Sequence, residues 1–319
     1  MNAAVVEAFD RPPRYTEFSV PVAGNGEVLV EVKAAGLHPI VKALASGKHY
    51  GSTGQLPLIP GVDGVGKLVD GKRVYFGVTR PPYGTFADTT ITRPSMCVPL
   101  PDGIDDVTAA ALSNPGMSSR AALMRAQFVA GESVLILGTT GVAGRLAVQI
   151  ARRLGAKSIV GAGREPRALQ KVKELGADAV ISLQQEPAVL VEAFRQALAD
   201  YKIDVVLDYL WGPPTENLLA AISQKGLSHA APRIRHVQIG NSAGPTISLA
   251  GATLRSSGLE LLGSGFGSAS LEQIMHAVGE LFQEAAKKPF QNEIKTAPLR
   301  DVEALWNGSE LGTRLVFQP

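Results

Sequence analysis

The sequence predicts an α/β protein of two domains, with a doubly wound parallel sheet in one and a mostly antiparallel β structure in the other. At 319 residues, the chain exceeds the usual size of one hydrophobic core. Short β-rich runs broken by Gly/Pro clusters occupy its first part, up to about Pro101. From about Asp105, wholly apolar runs alternate with amphipathic segments of helical length, as in a parallel sheet covered by helices.

The N-terminal β domain is predicted from three runs: "VLVEVKAAG", "RVYFGV" and "TFADTTIT". Clusters such as "STGQLPLIPG" and "TRPPYG" separate them and are typical of turns. Short strands punctuated in this way indicate a small, coiled antiparallel β domain.

The parallel sheet is predicted from a repeated order of strand and helix. The successive pairs are "SVLILG" with "VAGRLAVQIARRLG", "SIVGAG" with "PRALQKVKELG", "DAVIS" with "AVLVEAFRQALAD", and "IDVVLDYL" with "TENLLAAISQKG", followed by "RHVQIG" and "LELLGSG". A helix at about 270–288 and a last strand, "TRLVFQP", come next. Because this tail is too short to fold alone, we expect it to rejoin the first domain. The predicted domains are 1–116 with 264–319, and 117–263.

Composition excludes several classes of protein. Hydrophobic residues make up 45% of the chain and charged residues 19%, which is typical of a globular protein. Lys and Arg number 31 against 29 Asp and Glu, a balance that favours neither a nucleic-acid nor a membrane partner. Cys97 is the one cysteine, so disulfide frameworks are excluded. The N-terminus shows no secretory signal and no apolar run is of membrane-spanning length, so we expect a cytoplasmic protein.

The motif "VLILGTTGVAGRLAVQIA" predicts a phosphate-binding turn. A hydrophobic strand runs into Gly138, Gly141 and Gly144, and a helix follows at once. Small residues let the backbone approach a pyrophosphate, and the helix N-terminus offers free N–H groups. The spacing is G-x-x-G-x-x-G rather than the G-x-G-x-x-G of the Rossmann fingerprint, and S-adenosylmethionine is an alternative ligand. The predicted contacts are Thr140, Gly141, Val142 and Ala143.

The next strand indicates which dinucleotide binds. The segment "SIVGAGREPRALQ" ends its strand at Gly163-Arg164, with Arg167 close behind and no acidic residue at the strand tip. NAD-binding sheets place a carboxylate here for the ribose diol, whereas an arginine accommodates the 2′-phosphate of NADP. Glu165 lies at the start of the helix, where an acidic side chain favours the helix dipole. The sequence therefore favours NADPH over NADH, the alternative being two solvated arginines.

Four motifs resemble the medium-chain dehydrogenase/reductase superfamily: "GLHPIVKALASG", "PLIPGVDGVGKL", "YGTFADTTITRPSMCVPLPDG", and "AAALSNPGMSSRAAL" leading into "GTTGVAG". The order of β domain, nucleotide domain and returning tail is similar as well. The resemblance implies a GroES-like catalytic domain and a Rossmann domain. Its nearest branch is the zinc-free quinone oxidoreductases, which reduce quinones or activated alkenes with NADPH.

The residues support a site without metal. Zinc-dependent relatives carry Gly-His-Glu where this chain has Gly61-Val62-Asp63, and they carry a cysteine ligand where it has His38. Their third ligand is another cysteine, and Cys97 lies in a different motif. A catalytic zinc needs three protein ligands. The chain also departs from the zinc-free branch, in which Asn replaces His38, Asp replaces Val41, and Gly-Val replaces Val142-Ala143.

The resemblance also implies which residues line the site. The segment "GLHPIVKALASGKHYG" would face the nicotinamide, and its candidate hydrogen-bond or proton donors are His38, His49 and Tyr50. Lys42 is expected to be solvated, Asp63 to accept backbone or arginine hydrogen bonds, and His229, His236 and His276 to be structural or exposed. Tyr209, Leu210 and Trp211 would wall the nucleotide pocket or pack in the core. Further cofactor contacts are expected at Ser118, Gly240, Asn241, Ser264, Gly265 and Phe266.

The predicted function is hydride transfer from NADPH to a quinone or an α,β-unsaturated carbonyl, since these acceptors are electrophilic without a metal. Two alternatives stay open: an enoyl-thioester reductase, and a non-catalytic NADPH-binding or sensor protein, because a fold alone does not define a function. A homodimer is expected by analogy.

Overall fold

The structure is a computed structural model that describes residues 1–223, 231–265, 267–308 and 310–319. Its strands, in chain order, are β1 (Asn2–Val5), β2 (Arg14–Glu17), β3 (Val28–Gly36), β4 (Asp63–Lys67), β5 (Arg73–Gly77), β6 (Thr89–Thr92), β7 (Cys97–Pro99), β8 (Val134–Leu137), β9 (Ile159–Gly163), β10 (Ala179–Ser182), β11 (Val205–Asp208), β12 (Arg233–Gln238), β13 (Gly258–Gly263), β14 (Glu293–Pro298) and β15 (Thr313–Gln318). Its helices are α1 (Pro39–Ala45), α2 (Asp106–Arg125), α3 (Val142–Arg153), α4 (Pro166–Glu174), α5 (Pro187–Tyr201), α6 (Gly212–Ile222), α7 (Gly251–Arg255), α8 (Leu271–Lys287) and α9 (Val302–Leu305).

The chain divides into two compact units. The first comprises Met1–Met117 and Leu271–Pro319, and the second comprises Ser118–Ser270. The sequence predicts the return to the first domain at 264, whereas the chain re-enters the first unit at Leu271, where α8 begins. No helix in the described ranges is both long enough and apolar enough to cross a membrane.

The second unit is built on a parallel sheet. Six of the described strands pair in the order β10-β9-β8-β11-β12-β13. The sheet core is apolar because its central strands carry almost no polar side chains: every residue of β8 is buried, and so is every residue of β9. Helices α3 to α6 connect successive strands, and Leu190, Phe194 and Leu218 from two of them join the core of this unit. In this order β8 and β11 are neighbours in the sheet, although β9 and β10 lie between them in the sequence.

The first unit contains a sheet that is mostly antiparallel. Its order is β14-β15-β3-β4-β5-β7, and β6 also pairs with β3. The C-terminal strand β15 pairs antiparallel with β3, while β14 runs parallel to β15. Phe86 lies at the centre of the core, with ring contacts to Trp306 and Phe317, whose centroids lie 6.3 and 5.4 Å away. The tail is therefore part of this core.

The predicted fold class is confirmed, and the strand at 28–36 has the predicted bounds. The sequence does not predict α2, because it contains Asn114-Pro115-Gly116, which is typical of a turn. The helix forms despite this signature because its apolar side chains are buried and a glycine suits its packing. A Cβ on Gly116 would lie 2.6 Å from Cδ2 of Leu281 in α8. Tertiary packing thus outweighs local propensity here.

Candidate active site

The glycine turn of the second unit joins β8 directly to α3. Gly138 has a φ of +92°, which favours glycine, and a Cβ on Gly144 would lie 2.3 Å from the carbonyl oxygen of Gly138. Both glycines are therefore needed for the strand and helix to pack. Gly141 differs, because a Cβ there would meet only the carbonyl oxygen of Gly138, at 3.7 Å. Packing does not require Gly141, so its small size keeps open the space in front of the helix.

That open space lies at the N-terminus of α3. Gly141 is the N-cap residue and supplies no side-chain cap to the first N–H groups of the helix. Uncapped N–H groups and the positive end of the helix dipole favour an anion such as a phosphate. Of the predicted contacts, Thr140 and Val142 are buried, whereas Gly141 and Ala143 are half-buried. These residues fit a pyrophosphate.

Two arginines follow β9 beside this turn. A Cβ on Gly163 would lie 2.5 Å from Cγ2 of Thr140, so the end of β9 touches the glycine turn. Arg164 and Arg167 are both exposed, and within the described residues neither has an ion-pair partner. Glu165 caps α4, where its carboxylate accepts hydrogen bonds from the N–H groups of Arg167 and Ala168. The carboxylate of Glu165 is thus hydrogen-bonded to the helix N-terminus, and the two arginines are available to bind a phosphate.

The strand register brings the remaining cofactor candidates to the same sheet edge. Leu137 pairs with Asp208, Asp208 with Gln238, and Gln238 with Gly263. The residues that follow these strands therefore lie at the carboxyl edge, where open α/β sheets bind ligands. The predicted residues there are Gly240, Asn241, Ser264 and Gly265. Phe266 lies outside the described residues.

Tyr209 connects this edge to α2. Its hydroxyl lies 2.8 Å from Oγ of Ser119 and also hydrogen-bonds the hydroxyl of Ser118, a predicted cofactor contact. Burial raises the pKa of Tyr209 to about 12, and the two serine hydrogen bonds only partly oppose this. Tyr209 is therefore a neutral hydrogen-bonding group that places Ser118 beside the end of β11.

A second group of polar side chains is buried in the first unit. His38 is 0% exposed, and its Nε2 lies 3.4 Å from Oδ1 of Asp63. Oδ2 of Asp63 accepts hydrogen bonds from Tyr75, at 3.2 Å, and from Ser113, at 2.9 Å. Asp63 thus takes hydroxyl donors rather than the predicted backbone or arginine donors. Arg314 of β15 is also buried, and its Nη1 donates to the carbonyl of Leu37 at 2.6 Å.

Burial dominates the electrostatics of this buried group. It lowers the pKa of His38 well below the ordinary value of 6.5, and the positive charge of Arg314 adds to the effect. Burial also raises the pKa of Asp63 to about 6, although hydrogen bonds from Ser113 and Tyr75 oppose the rise. The pKa of Arg314 falls to about 10 for the same reason. His38 is consequently a neutral imidazole at neutral pH.

His49 and Tyr50 form a different pair after α1. Their ring centroids are 4.2 Å apart, and Tyr50 is 75% exposed. Nδ1 of His49 accepts a hydrogen bond from the N–H of Gly51 at 3.1 Å, which leaves Nε2 as the N–H donor of the neutral ring. Burial lowers the pKa of His49 and so favours that neutral form. Lys42 is half-buried rather than fully solvated, and its Nζ lies 3.4 Å from the carbonyl oxygen of Gly308.

The donor set around His38 does not fit a catalytic zinc, which needs three protein ligands. Val62, next to Asp63, has no donor atom in its side chain. Throughout the described ranges, no group of three or more His, Cys, Asp or Glu side chains is arranged so that it could hold a metal ion.

Sequence reasoning missed the network around Asp208 and His236. Both side chains are 0% exposed, and Nε2 of His236 lies 2.9 Å from Oδ2 of Asp208. The signal available was a carboxylate at the end of an otherwise apolar strand, "VVLD". The sequence predicts that the late histidines are structural or exposed; His236 is buried, and His276 is 73% exposed. His229 lies outside the described residues.

Comparison with known proteins agrees with this architecture. A family model described as "Zinc-binding dehydrogenase" matches residues 143–280. A quinone oxidoreductase of Lama guanicoe is 30% identical over 240 residues, 71% of either chain. A probable NADPH-dependent quinone reductase of Emericella nidulans is 28% identical and covers both chains completely. The crystal structure of the quinone oxidoreductase from Thermus thermophilus, also solved in complex with NADPH, aligns over both full chains with a TM-score of 0.80 and 25% identity.

The described residues form a parallel sheet of six strands with a glycine turn after β8, and a second, mostly antiparallel sheet. Together with the quinone oxidoreductase relatives, this fold assigns the chain to a class of two-unit oxidoreductases. The chain belongs to the medium-chain dehydrogenase/reductase superfamily, in its quinone oxidoreductase-like branch.

Proposed function

We propose that this protein is an NADPH-dependent oxidoreductase that transfers hydride to a quinone or an α,β-unsaturated carbonyl without zinc. The observation that carries the proposal is the edge formed by the glycine turn and the end of β9. There the N-terminus of α3, which has no side-chain cap, follows a glycine turn that contacts Gly163 through Thr140. Two exposed arginines, Arg164 and Arg167, come next along the chain, and neither has an ion-pair partner among the described residues. The names of the Emericella nidulans and Thermus thermophilus relatives support NADPH as the cofactor.

The residues at the sheet edge divide the task of holding NADPH. The N–H groups at the start of α3 would hold the pyrophosphate, and Arg164 with Arg167 would hold the 2′-phosphate through charge-assisted hydrogen bonds. Ser118, Gly240, Asn241, Ser264 and Gly265 would border the remainder. When bound, NADPH supplies a hydride from C4 of its nicotinamide.

Two side chains that follow α1 would supply hydrogen-bond donors for the oxygen of the acceptor. Reduction of a quinone or an enone places negative charge on that oxygen, and a donor aimed at it lowers the barrier. The hydroxyl of Tyr50 and the Nε2–H of His49 are the accessible donors of the predicted set. His38 is buried at the N-cap position of α1 and makes no side-chain capping hydrogen bond, so we propose that its ring acts by packing at the start of this helix.

Independence from zinc rests on side-chain chemistry. Of the positions matched to the ligand motifs of zinc-dependent relatives, His38 and Asp63 carry donor atoms, and Val62 supplies none. A quinone or an enone needs no Lewis acid to accept hydride, which matches a site of this kind. The homodimer and the cytoplasmic location expected from the sequence stay predictions.

The test is steady-state oxidation of NADPH with 1,4-benzoquinone and 9,10-phenanthrenequinone, with the zinc content of the same sample measured. We expect turnover with less than about one zinc per ten chains. Thermal stabilisation by NADPH without turnover on a panel of quinones and enones would favour a non-catalytic NADPH-binding protein. Turnover that needs about one tightly bound zinc per chain would contradict the zinc-free mechanism.

A further inference from the structure

The turn that follows β11 has a strained backbone. Trp211 has φ +56° and ψ −166°, a region that residues other than glycine rarely adopt, and Gly212 follows with φ +62°. Such a conformation persists only where the surrounding structure holds it in place. Trp211 ends the loop, since α6 begins at the next residue.

One carboxylate holds this turn. Oδ1 of Asp208 accepts the N–H groups of Leu210, at 2.8 Å, and of Trp211, at 2.9 Å. Oδ2 accepts the hydroxyl of Thr215 at 2.6 Å and Nε2 of His236 at 2.9 Å. Four donors thus converge on a fully buried carboxylate. The ring of His236 also packs edge-on against the Trp211 indole, with centroids 6.2 Å apart.

The turn touches two parts of the candidate cofactor edge. On one side, a Cβ on Gly138 would lie 3.1 Å from Cδ2 of Leu210 and 3.3 Å from Cβ of Tyr209. On the other side, a Cβ on Gly240 would lie 2.8 Å from the carbonyl oxygen of Tyr209. The carbonyl of Leu210 accepts the N–H of Ala243 at 2.8 Å. The turn 209–212 therefore packs between the glycine turn at Gly138 and the segment after β12.

We propose that Asp208, oriented by His236, is a positioning residue of the cofactor site: its carboxylate holds the strained turn 209–212, which fixes the glycine turn at Gly138 and the segment at Gly240. This inference rests on the proposed function, because it assigns the turn to a cofactor that the sheet edge binds. Because Asp208 is fully buried, we assign it a positioning role rather than a direct contact with the cofactor.

The decisive experiment is a double-mutant cycle on the dissociation constant for NADPH. Asp208→Asn keeps the shape of the side chain, but its amide accepts through one oxygen only and cannot take all four donors. We expect it to weaken NADPH binding about tenfold, the scale of hydrogen bonds to a charged group. Trp211→Gly relieves the strain, because glycine adopts a positive φ freely, and the affinity of this single variant is the second reference of the cycle.

The coupling between the two substitutions separates positioning from a general loss of stability. If Asp208 acts by holding the strained backbone, Asp208→Asn costs clearly less affinity in the Trp211→Gly background than in the wild type. Equal costs in both backgrounds would overturn the inference, as would a lower melting temperature with unchanged affinity. Asp204→Asn is the matched control, because Asp204 accepts the N–H of Ser133 at 2.9 Å near the opposite end of β11 and should leave the affinity unchanged.

A second readout does not depend on cofactor binding. The chain has two tryptophans, and Trp306→Phe leaves Trp211 as the sole indole. In that background we expect Asp208→Asn to increase acrylamide quenching of Trp211 fluorescence in the cofactor-free protein. Unchanged quenching would overturn the role of Asp208 in the turn. If the wild type shows no affinity for NADPH, the proposed function fails, whereas the quenching result still decides whether Asp208 holds the turn.

Discussion

Nε2 of His38 lies 3.4 Å from Oδ1 of Asp63, and the two side chains are 0% and 5% exposed. Burial shifts the two pKa values in opposite directions on the pH scale, lowering that of His38 and raising that of Asp63 to about 6. Both shifts favour the neutral form of the group. The pair therefore links the stability of the first unit to pH through two terms of opposite sign.

We expect the contributions of Asp63 and His38 to the free energy of unfolding to change in opposite directions between about pH 4 and pH 6.5. Asp63 binds a proton more tightly in the folded chain, so lowering the pH from 6 to 4 stabilises the folded state through Asp63. As the pH falls below the ordinary pKa of 6.5, the His38 ring binds a proton in the unfolded chain but not in the folded one, so the free energy of unfolding decreases. Each of the two residues changes the free energy of unfolding by at most about 1.4 kcal/mol per pH unit.

Urea unfolding at pH 4.5, 5.5 and 6.5 measures these terms. Relative to wild type, Asp63→Asn should lose unfolding free energy as the pH falls, and His38→Asn should gain it. Asp102→Asn removes an exposed carboxylate of the same unit and serves as the control. A difference from wild type that stays constant across this range, for either variant, would contradict the assigned shift.

Arg164 should determine the preference for NADPH over NADH. Arg164→Ala removes a guanidinium from the end of β9, and we expect it to weaken NADPH binding about tenfold, the scale of a charge-assisted phosphate contact. NADH lacks the 2′-phosphate, so its affinity should be unchanged. Titration of both cofactors, followed by nucleotide fluorescence, gives the two dissociation constants. Lys173→Ala removes an exposed positive charge from α4 and is the control; equal losses for NADPH and NADH would refute the assignment.

The glycines of the turn should separate stability from binding. Gly144→Ala places a methyl group 2.3 Å from the backbone oxygen of Gly138, so α3 must shift, at a cost of about 2 kcal/mol of stability. Gly141→Ala meets no such obstacle, since its φ of −81° suits alanine, but the methyl group enters the space proposed for the pyrophosphate. It should keep the melting temperature and weaken NADPH binding. Thermal melts with cofactor titrations measure both, and the reverse pattern would be inconsistent with this geometry.

Tyr50 should act on turnover rather than on cofactor binding. Tyr50→Phe removes an exposed hydroxyl proposed to stabilise the reduced acceptor, and we expect kcat with 1,4-benzoquinone to fall about tenfold or more. The dissociation constant for NADPH should not change, because the predicted cofactor contacts lie in the second unit. Tyr15→Phe, at another exposed tyrosine of the first unit, is the comparison. Unaltered kcat in Tyr50→Phe would remove this residue from the proposal.

Much of the fold was predictable because hydrophobic periodicity reports burial directly. Runs such as "VLIL" and "IVGAG" are apolar throughout because both faces of a parallel sheet are covered, and they became β8 and β9. Where local signals conflict with packing, prediction fails, as in α2, whose Asn114-Pro115-Gly116 segment is helical because it packs beside Leu281.

In the candidate site, too, the features that were predictable are those whose partners lie close together in the sequence. Glu165 as a helix cap and Gly144 as a packing glycine follow from local sequence, because their partners lie within a few residues. The buried polar group around His38 does not follow from local sequence, since Asp63, Tyr75 and Arg314 come from three different strands. Burial, which shifts the pKa values of His38 and Asp63, is a property of the packed unit and has no local signature.

By itself, the sequence determined the class of fold, the glycine turn and the arginines at the end of β9, because each depends on residues close together in the chain. Tertiary structure alone decided that Arg314 is buried beside Leu37, far away in the sequence, and that four donors converge on Asp208. The physical reason is that hydrogen bonds and desolvation act over a few ångströms in space, whatever the distance along the chain.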